Sequence, residues 1–226
     1  MLKFAPILLA LLMALVMYRV SAWRTARMLD QQSTPLKDPT IGALTDRLAR
    51  ALDLPKIPVY VYEIDMVNGL AAPDGRVFIT RGFLDKMRLG KVTPEEITSV
   101  IAHELGHVAL GHSRKRMIDF AGQNVMRTIL MLVIGRLIPG IGVYIANALT
   151  QLLGARLSRN DEFEADAYAA ALLTKAGLGT EAQVSLFEKL GQMTGQSQAP
   201  AWFLSHPKSE ERITAIRALS DKWDRA

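Results

Sequence analysis

Thr93-Pro94-Glu95-Glu96-Ile97-Thr98-Ser99-Val100-Ile101-Ala102-His103-Glu104-Leu105-Gly106-His107 is the stretch whose reading decides the fold. Threonine before proline, with a glutamate three residues after the threonine, is the sequence form of a capped helix start. Ile97, Val100, Ile101, Leu105, Val108 and Ala109 then recur as an apolar stripe at helical spacing. Gly111 and the basic run Arg114-Lys115-Arg116 suit the C-terminal end, where cations meet the negative pole of the helix dipole. These charges also argue against a membrane-embedded helix. On such a helix His103 and His107 lie nearly above one another, so both imidazoles can address one ion. Glu104 sits about 100° round the helix, where it can reach a water beside that ion instead of the ion itself. The alternative is an amphipathic helix that carries two histidines by accident, but the chain has only four. The pattern is half of a zinc site.

A catalytic zinc takes three protein ligands and leaves one position open, so a further acidic or imidazole side chain must come from elsewhere. Four acidic residues cluster in Asp161-Glu162-Phe163-Glu164-Ala165-Asp166, where a helix is expected from Asp161 to Lys175 with its stop at Gly177. Glu162 and Asp166 are four apart and share a face, whereas Glu164 points some 200° away from Glu162. A facing pair provides a ligand, Glu162, and an acceptor for the N–H of a ligating histidine, Asp166, which would fix the tautomer of that ring. Without the histidine motif the same cluster reads as a solvated helix start. His112 lies five residues beyond His107, off the face of the pair, and misses the six-residue spacing of the extended three-histidine motif. It is expected to be structural or exposed.

The 226 residues, half of them apolar, suffice for one catalytic domain with an appendage. There is no cysteine, so a metal must be held by His, Asp or Glu. The net charge of +5 is scattered and interleaves with no nucleic-acid module. Anionic lipid is the expected partner of that charge, and nucleic acid is not. Phe4 to Tyr18 is uncharged and almost wholly apolar between Lys3 and Arg19. At 1.5 Å per residue it covers ~22 Å, short of a ~30 Å hydrocarbon core, unless Lys3 and Arg19 snorkel and the span extends to Trp23. A cleaved signal peptide ending near Val20-Ser21-Ala22 is the competing reading. Arg19, Arg24 and Arg27 place the remainder on the cytoplasmic side of an inner membrane by the positive-inside rule, with the periplasm as the alternative.

Residues 1–30 are thus expected to form an anchor or signal segment, 31–37 a linker, and 38–226 the catalytic domain. Ile41, Leu44, Leu48 and Leu52 mark a helix, Pro58 to Ile64 and Arg76 to Thr80 mark strands, and Asp74-Gly75 marks a turn. Between the strands, Asn68, Gly69, Leu70 and Ala71 read either as a connection or as a short strand whose open edge accepts an extended peptide. Residues 125–153 are apolar but interrupted by Arg136 and Pro139-Gly140. They read as a pair of short helices buried against the domain, or as a hairpin lying in the membrane. Thr180-Glu181-Ala182-Gln183 opens a further helix, residues 191–200 form a loop, and a last helix begins near Lys208.

Three motifs in order carry a resemblance: His103-Glu104-Leu105-Gly106-His107; Ser158-Arg159 before Glu162-Phe163-Glu164-Ala165-Asp166; and Ser205-His206-Pro207 with Glu211-Arg212-Ile213. The chain resembles the membrane-associated gluzincin peptidases that include HtpX and the CAAX prenyl proteases, over roughly residues 38–220. The resemblance implies an α+β, mainly helical zincin domain of gluzincin type with a small edge sheet, plus an N-terminal transmembrane helix. It implies one zinc ion on His103, His107 and Glu162, and a polypeptide substrate. It also brings His206 near the metal, either stabilising the transition state or capping zinc at rest, with Arg212 orienting it. The family's edge strand often reads Asn-Ala-aromatic, and Asn68-Gly69-Leu70 departs from that. The expected activity is an endopeptidase of protein quality control acting on membrane or misfolded proteins, with Glu104 as general base. The competing class is a membrane-tethered chaperone or adaptor with a structural zinc. The sequence does not fix the oligomeric state.

Overall fold

The computed structural model describes residues 5–72, 74–112, 115, 142–193, 206, 210–223 and 225. The elements are α1 (Ala5–Gln31), β1 (Ser33–Pro35), α2 (Pro39–Ala51), β2 (Val59–Tyr62), β3 (Gly69–Ala71), β4 (Val77–Thr80), α3 (Arg81–Arg88), α4 (Pro94–Ala109), α5 (Gly142–Lys175), α6 (Glu181–Met193) and α7 (Glu210–Trp223). The domain is mainly helical with one small mixed sheet, as expected. The chain divides into two compact units. The first holds residues 1–27 and 111–161, and the second holds 28–110 and 162–226.

In the second unit the sheet order is β1-β2-β4-β3. Strands β2 and β4 pair in parallel, while β1 and β3 pair antiparallel at the two edges. The alternation in Pro58 to Ile64 did yield a strand, but its partner across Asp74-Gly75 is not β2. That turn joins β3 to β4, with Gly75 at φ 87°, and the parallel pairing of β2 with β4 requires the crossover between them. Residues 31–37, expected as a linker, instead carry β1, whose Thr34 stands opposite Val61. One face of the sheet joins Val59, Val61, Val77 and Ile79 to Ile97, Val100 and Ile101 of α4, together with Leu48 of α2 and Phe187 of α6. The other face is covered at Phe78 and Tyr62 by Leu29, at the end of α1. Arg76 pins that turn by bonding both Asp30 and Asp74.

Helix α4 starts as the sequence requires. The Thr93 hydroxyl accepts from the Glu96 N–H, and a Glu96 carboxylate oxygen accepts from the Thr93 N–H at 2.8 Å. The other Glu96 oxygen is buried against α6, accepting from the Ser185 hydroxyl at 2.6 Å and the Lys189 ammonium at 2.8 Å. The cap therefore also docks a neighbouring helix.

The helix expected from Asp161 does not begin there. Helix α5 is continuous from Gly142 to Lys175: no proline interrupts it, and single residues of lower helix propensity such as Gly154 and Asn160 are tolerated in mid-helix. The second half of the apolar stretch 125–153 is thus the start of the helix that bears Glu162, and residues 125–141 lie outside those described. Among the described residues no helix is long and apolar enough to cross a membrane. His112 is buried, with Nε2 3.9 Å from the Asp161 carboxylate.

Candidate metal centre

Helix α4 delivers His103 and His107 to one point because their spacing is close to one helical turn. The two Nε2 atoms stand 3.1 Å apart. Helix α5 brings Glu162 to the same point, with carboxylate oxygens 3.5 Å from each of those nitrogens. Of the four acidic residues in this stretch, Asp161, Glu162 and Asp166 are buried and Glu164 is exposed, and it is Glu162 that stands beside the two imidazoles. Gly106 lets the two helices approach closely, since a Cβ there would stand 3.0 Å from the Ala165 carbonyl oxygen. His206 completes the group, with Nδ1 2.8 Å from Glu162 and 3.3 Å from His103 Nε2. One ligand atom from each of His103, His107, Glu162 and His206 lies within 4.8 Å of all the others.

A second layer holds these groups in place. Asp166 takes His103 Nδ1 at 2.9 Å, which leaves Nε2 facing the cluster. Arg212, almost wholly buried, donates two hydrogen bonds to Asp166 at 2.6 and 2.8 Å and reaches Glu162 at 3.3 Å. Its guanidinium also stacks 4.6 Å above the ring of Phe187. Burial opposes charge on His103, but hydrogen bonds to Asp166 and Glu162 and the nearby carboxylate charges outweigh it, pushing the imidazole up to about 9. Burial likewise opposes charge on Glu162 and Asp166. Their hydrogen bonds to histidine and, for Asp166, to Arg212 prevail and hold both below the usual carboxylate range.

Whether zinc fits can be judged from the donors themselves. Tetrahedral zinc with bonds near 2.0–2.2 Å sets its ligands about 3.3–3.5 Å apart. The separations of 3.1, 3.5 and 3.5 Å among His103, His107 and Glu162 match that spacing. Glu104 supplies the second observation. Its Oε1 is buried, has no hydrogen-bond partner among the described residues, and lies 3.4 Å from His206 Nε2. A buried carboxylate oxygen left without a hydrogen bond beside such a cluster is placed to meet a group that arrives with the metal or the substrate.

Residues 35–220 match the model of Peptidase family M48. The chain belongs to peptidase family M48. It is 33% identical over 158 residues to the metalloprotease LoiP and 34% identical over 157 residues to the metalloprotease YcaL, both of Escherichia coli. Each match covers 70% of this chain, and the chain spans 60% and 59% of those relatives. It is 30% identical over 233 residues to a protease HtpX homolog of Janthinobacterium, covering 88% of this chain and 78% of that protein. The family is one of zinc metallopeptidases, and the four-residue cluster is able to hold one such ion.

Asn68, Leu70 and Ala71 lie apart from the metal ligands, at the sheet edge beside α4. Of the two readings of this stretch, the strand is the one that forms, and β3 is an edge strand. Gly69 explains the departure from Asn-Ala-aromatic: a Cβ there would stand 2.5 Å from Val100 Cγ1 and 3.8 Å from Glu104 Cγ. Leu70 packs on the opposite face with Phe78 and Tyr62. The Asn68 carboxamide oxygen accepts from its neighbour, the Gly69 N–H, at 3.0 Å. Sequence reasoning missed Phe187, which supports Arg212, and Thr80, which brackets Asn68. Neither residue type carries a signal of such a role outside the fold.

Proposed function

We infer that this chain is a zinc-dependent endopeptidase that hydrolyses peptide bonds in polypeptide substrates. The observation that carries the reading is the buried Oε1 of Glu104, without a hydrogen bond among the described residues, beside the His103, His107 and Glu162 donors. Those three residues would hold the ion. Zinc bound there would supply Lewis acidity, polarising a carbonyl and lowering the pKa of water towards ~7. Glu104 accepts the proton of the attacking water on Oε1 and returns it to the leaving amine. His206 donates a hydrogen bond to the oxyanion that develops on the scissile carbonyl. Arg212 and Asp166 hold His103 and Glu162 in place and neutralise part of the buried charge. Asn68, Leu70 and Ala71 belong to the edge along which an extended substrate adds by backbone hydrogen bonds.

The substrate class we favour is misfolded or membrane protein, handled at an inner membrane with the catalytic domain on its cytoplasmic side. The uncharged run Phe4 to Tyr18 and the arginines that follow it support a single-pass anchor and contact with anionic lipid. Similarity to the HtpX homolog supports the membrane setting. Residues 38–226 form the catalytic part in this reading. His206 stands close enough to the other donors to occupy the fourth position, which favours a resting state that substrate must open. In the competing reading, a chaperone or adaptor with structural zinc, that position stays closed.

Zinc content and cleavage of casein, measured together on the wild type and Glu104→Gln, test the assignment. The glutamine variant is expected to keep its zinc and lose cleavage by about 10²–10⁴-fold, the usual contribution of a general base. Unimpaired, chelator-sensitive cleavage by that variant would refute the mechanism. No cleavage by zinc-loaded wild type would favour the adaptor.

A further inference from the structure

Thr80 ends β4 and stands at the N-cap of α3. A threonine in this position normally turns its hydroxyl onto the first turn of its own helix. Here the backbone has the extended conformation of a cap, φ −72° and ψ 155°, but the hydroxyl makes no capping bond. It faces the sheet instead. It accepts from the Asn68 N–H at 2.9 Å and donates to the Asn68 carbonyl at 3.0 Å, and the Thr80 N–H donates to the same carbonyl at 3.1 Å. The side chain is fully buried, so these bonds are shielded from water.

The pairing register explains what this bracket does. Gly69 stands opposite Ile79 and Leu70 opposite Phe78, which sets Asn68 opposite Thr80. In an antiparallel ladder every second opposed pair exchanges two backbone bonds, and Asn68 with Thr80 is such a pair. Thr80 gives one of them, and its hydroxyl replaces the carbonyl in the other because the main chain turns into α3. Asn68 and Ala72 bond towards β4, so by alternation the backbone groups of Gly69 and Ala71 point to the open edge. The preceding loop is fixed as well: the Gly82 N–H donates to the Ile64 carbonyl at 3.0 Å, and any Cβ on Gly82 would collide with the Asp65 carbonyl.

We propose that Thr80 is a positioning residue for substrate: its hydroxyl bracket on Asn68 sets the register of the edge strand β3 against Glu104. The proposal rests on the endopeptidase reading above. A strand advances about 3.3 Å per residue and reverses its faces with a one-residue slip. The height of Gly69 on α4 therefore decides which substrate carbonyl arrives over Glu104. Gly69 itself has no side chain with which to hold that height. Thr80 holds it from the neighbouring strand.

The test compares zinc-loaded wild type, Thr80→Val and Thr80→Ser on a fluorescence-quenched peptide derived from casein, with amide hydrogen exchange measured in parallel. Valine preserves shape and removes the hydroxyl, and serine restores the hydroxyl alone. Thr80→Val is expected to keep its zinc and raise KM, with kcat/KM falling about 10²-fold, the cost of a misplacement of about 1 Å. Leu70 and Ala72 amides should exchange at least tenfold faster while those of α4 are unchanged, and Thr80→Ser should recover both properties. If Thr80→Val does not fold, Thr80→Ala serves in the same comparison. Wild-type KM and wild-type protection of 68–72 in the hydroxyl-free variant would overturn the proposal, as would failure of serine to rescue. A zinc-loaded wild type that cleaves nothing would overturn the peptidase reading itself, a result distinct from either.

Discussion

Gly106→Ala pits helix propensity against packing, and the structure decides the sign. Alanine within a helix is favoured over glycine by up to about 1 kcal/mol, so an unconstrained Gly106 would make this substitution stabilising. The added Cβ, however, would stand 3.0 Å from the Ala165 carbonyl oxygen, 3.1 Å from Ala165 Cα and 3.3 Å from Tyr168 Cβ. Two of these neighbours are backbone atoms, which cannot rotate away. Ordinary contact begins several tenths of an ångström further out, so α5 must retreat from α4 by that amount. Retreat is resisted because the next residue, Asp166, is tied to Arg212 by two hydrogen bonds and to His103 by a third. Overpacking of this kind costs about 1–3 kcal/mol, leaving a net destabilisation of about 1 kcal/mol. The effect on metal binding is larger than that figure suggests. Glu162 lies one helical turn from Asp166, and ligand positions tolerate only about ±0.2 Å. We expect Gly106→Ala to lower zinc affinity at least tenfold, read by competition with a chromophoric chelator, and to lower the urea midpoint of the metal-free protein. Unchanged affinity together with raised stability would refute the claim that this glycine sets the spacing of the two ligand-bearing helices.

Arg212→Met removes a guanidinium from a buried pair of carboxylates, and urea unfolding should show a loss of roughly 3–5 kcal/mol; a loss below about 1 kcal/mol would mean that Asp166 and Glu162 are compensated otherwise. In the metal-free protein His103 titrates near 9 against an ordinary 6.5. The stability it contributes is therefore complete below pH 6.5 and lost as pH rises through about 9. Zinc needs the neutral ring, so apparent zinc affinity should climb by up to tenfold per pH unit across that window; a flat affinity from pH 6.5 to 8.5 would contradict this. Gly69→Ala should cost about 1–3 kcal/mol through the 2.5 Å approach to Val100 Cγ1. Val100→Ala in the same chain should relieve much of that cost, and strict additivity of the two changes would show that the contact is not the cause.

The site was legible where chemistry and helical period coincide. His103, Glu104 and His107 fall on one capped helix, and Glu162 and Asp166 share a face of another, so residue type and phase sufficed to pick them from their neighbours. His206 and Arg212 carry no such signal: one precedes a proline in a loop motif, the other opens an amphipathic helix, and only resemblance or tertiary structure connects them to Glu162. The sheet was less legible for a related reason. Strands of three or four residues show too few alternations to fix a partner, and the parallel pairing of β2 with β4 depends on a crossover that alternation does not reveal. The strand β1 is three residues ending in proline, a composition that reads as linker, and it exists because β2 offers it an edge.

Charge balance ties these parts together. Glu104, Glu162 and Asp166 bring three carboxyl groups into a volume almost closed to water, and Arg212 bonds Asp166 and reaches Glu162. Buried carboxylate charge without compensation costs several kcal/mol per group. A histidine can add compensation by taking up a proton, which is the direction in which His103 is pushed. A divalent cation would add it with the imidazoles neutral, the form in which they bind metal. The same arrangement that raises the basicity of His103 therefore makes it a stronger ligand once the proton has left. Removing any one member of this set, acid or base, should be felt by all the others.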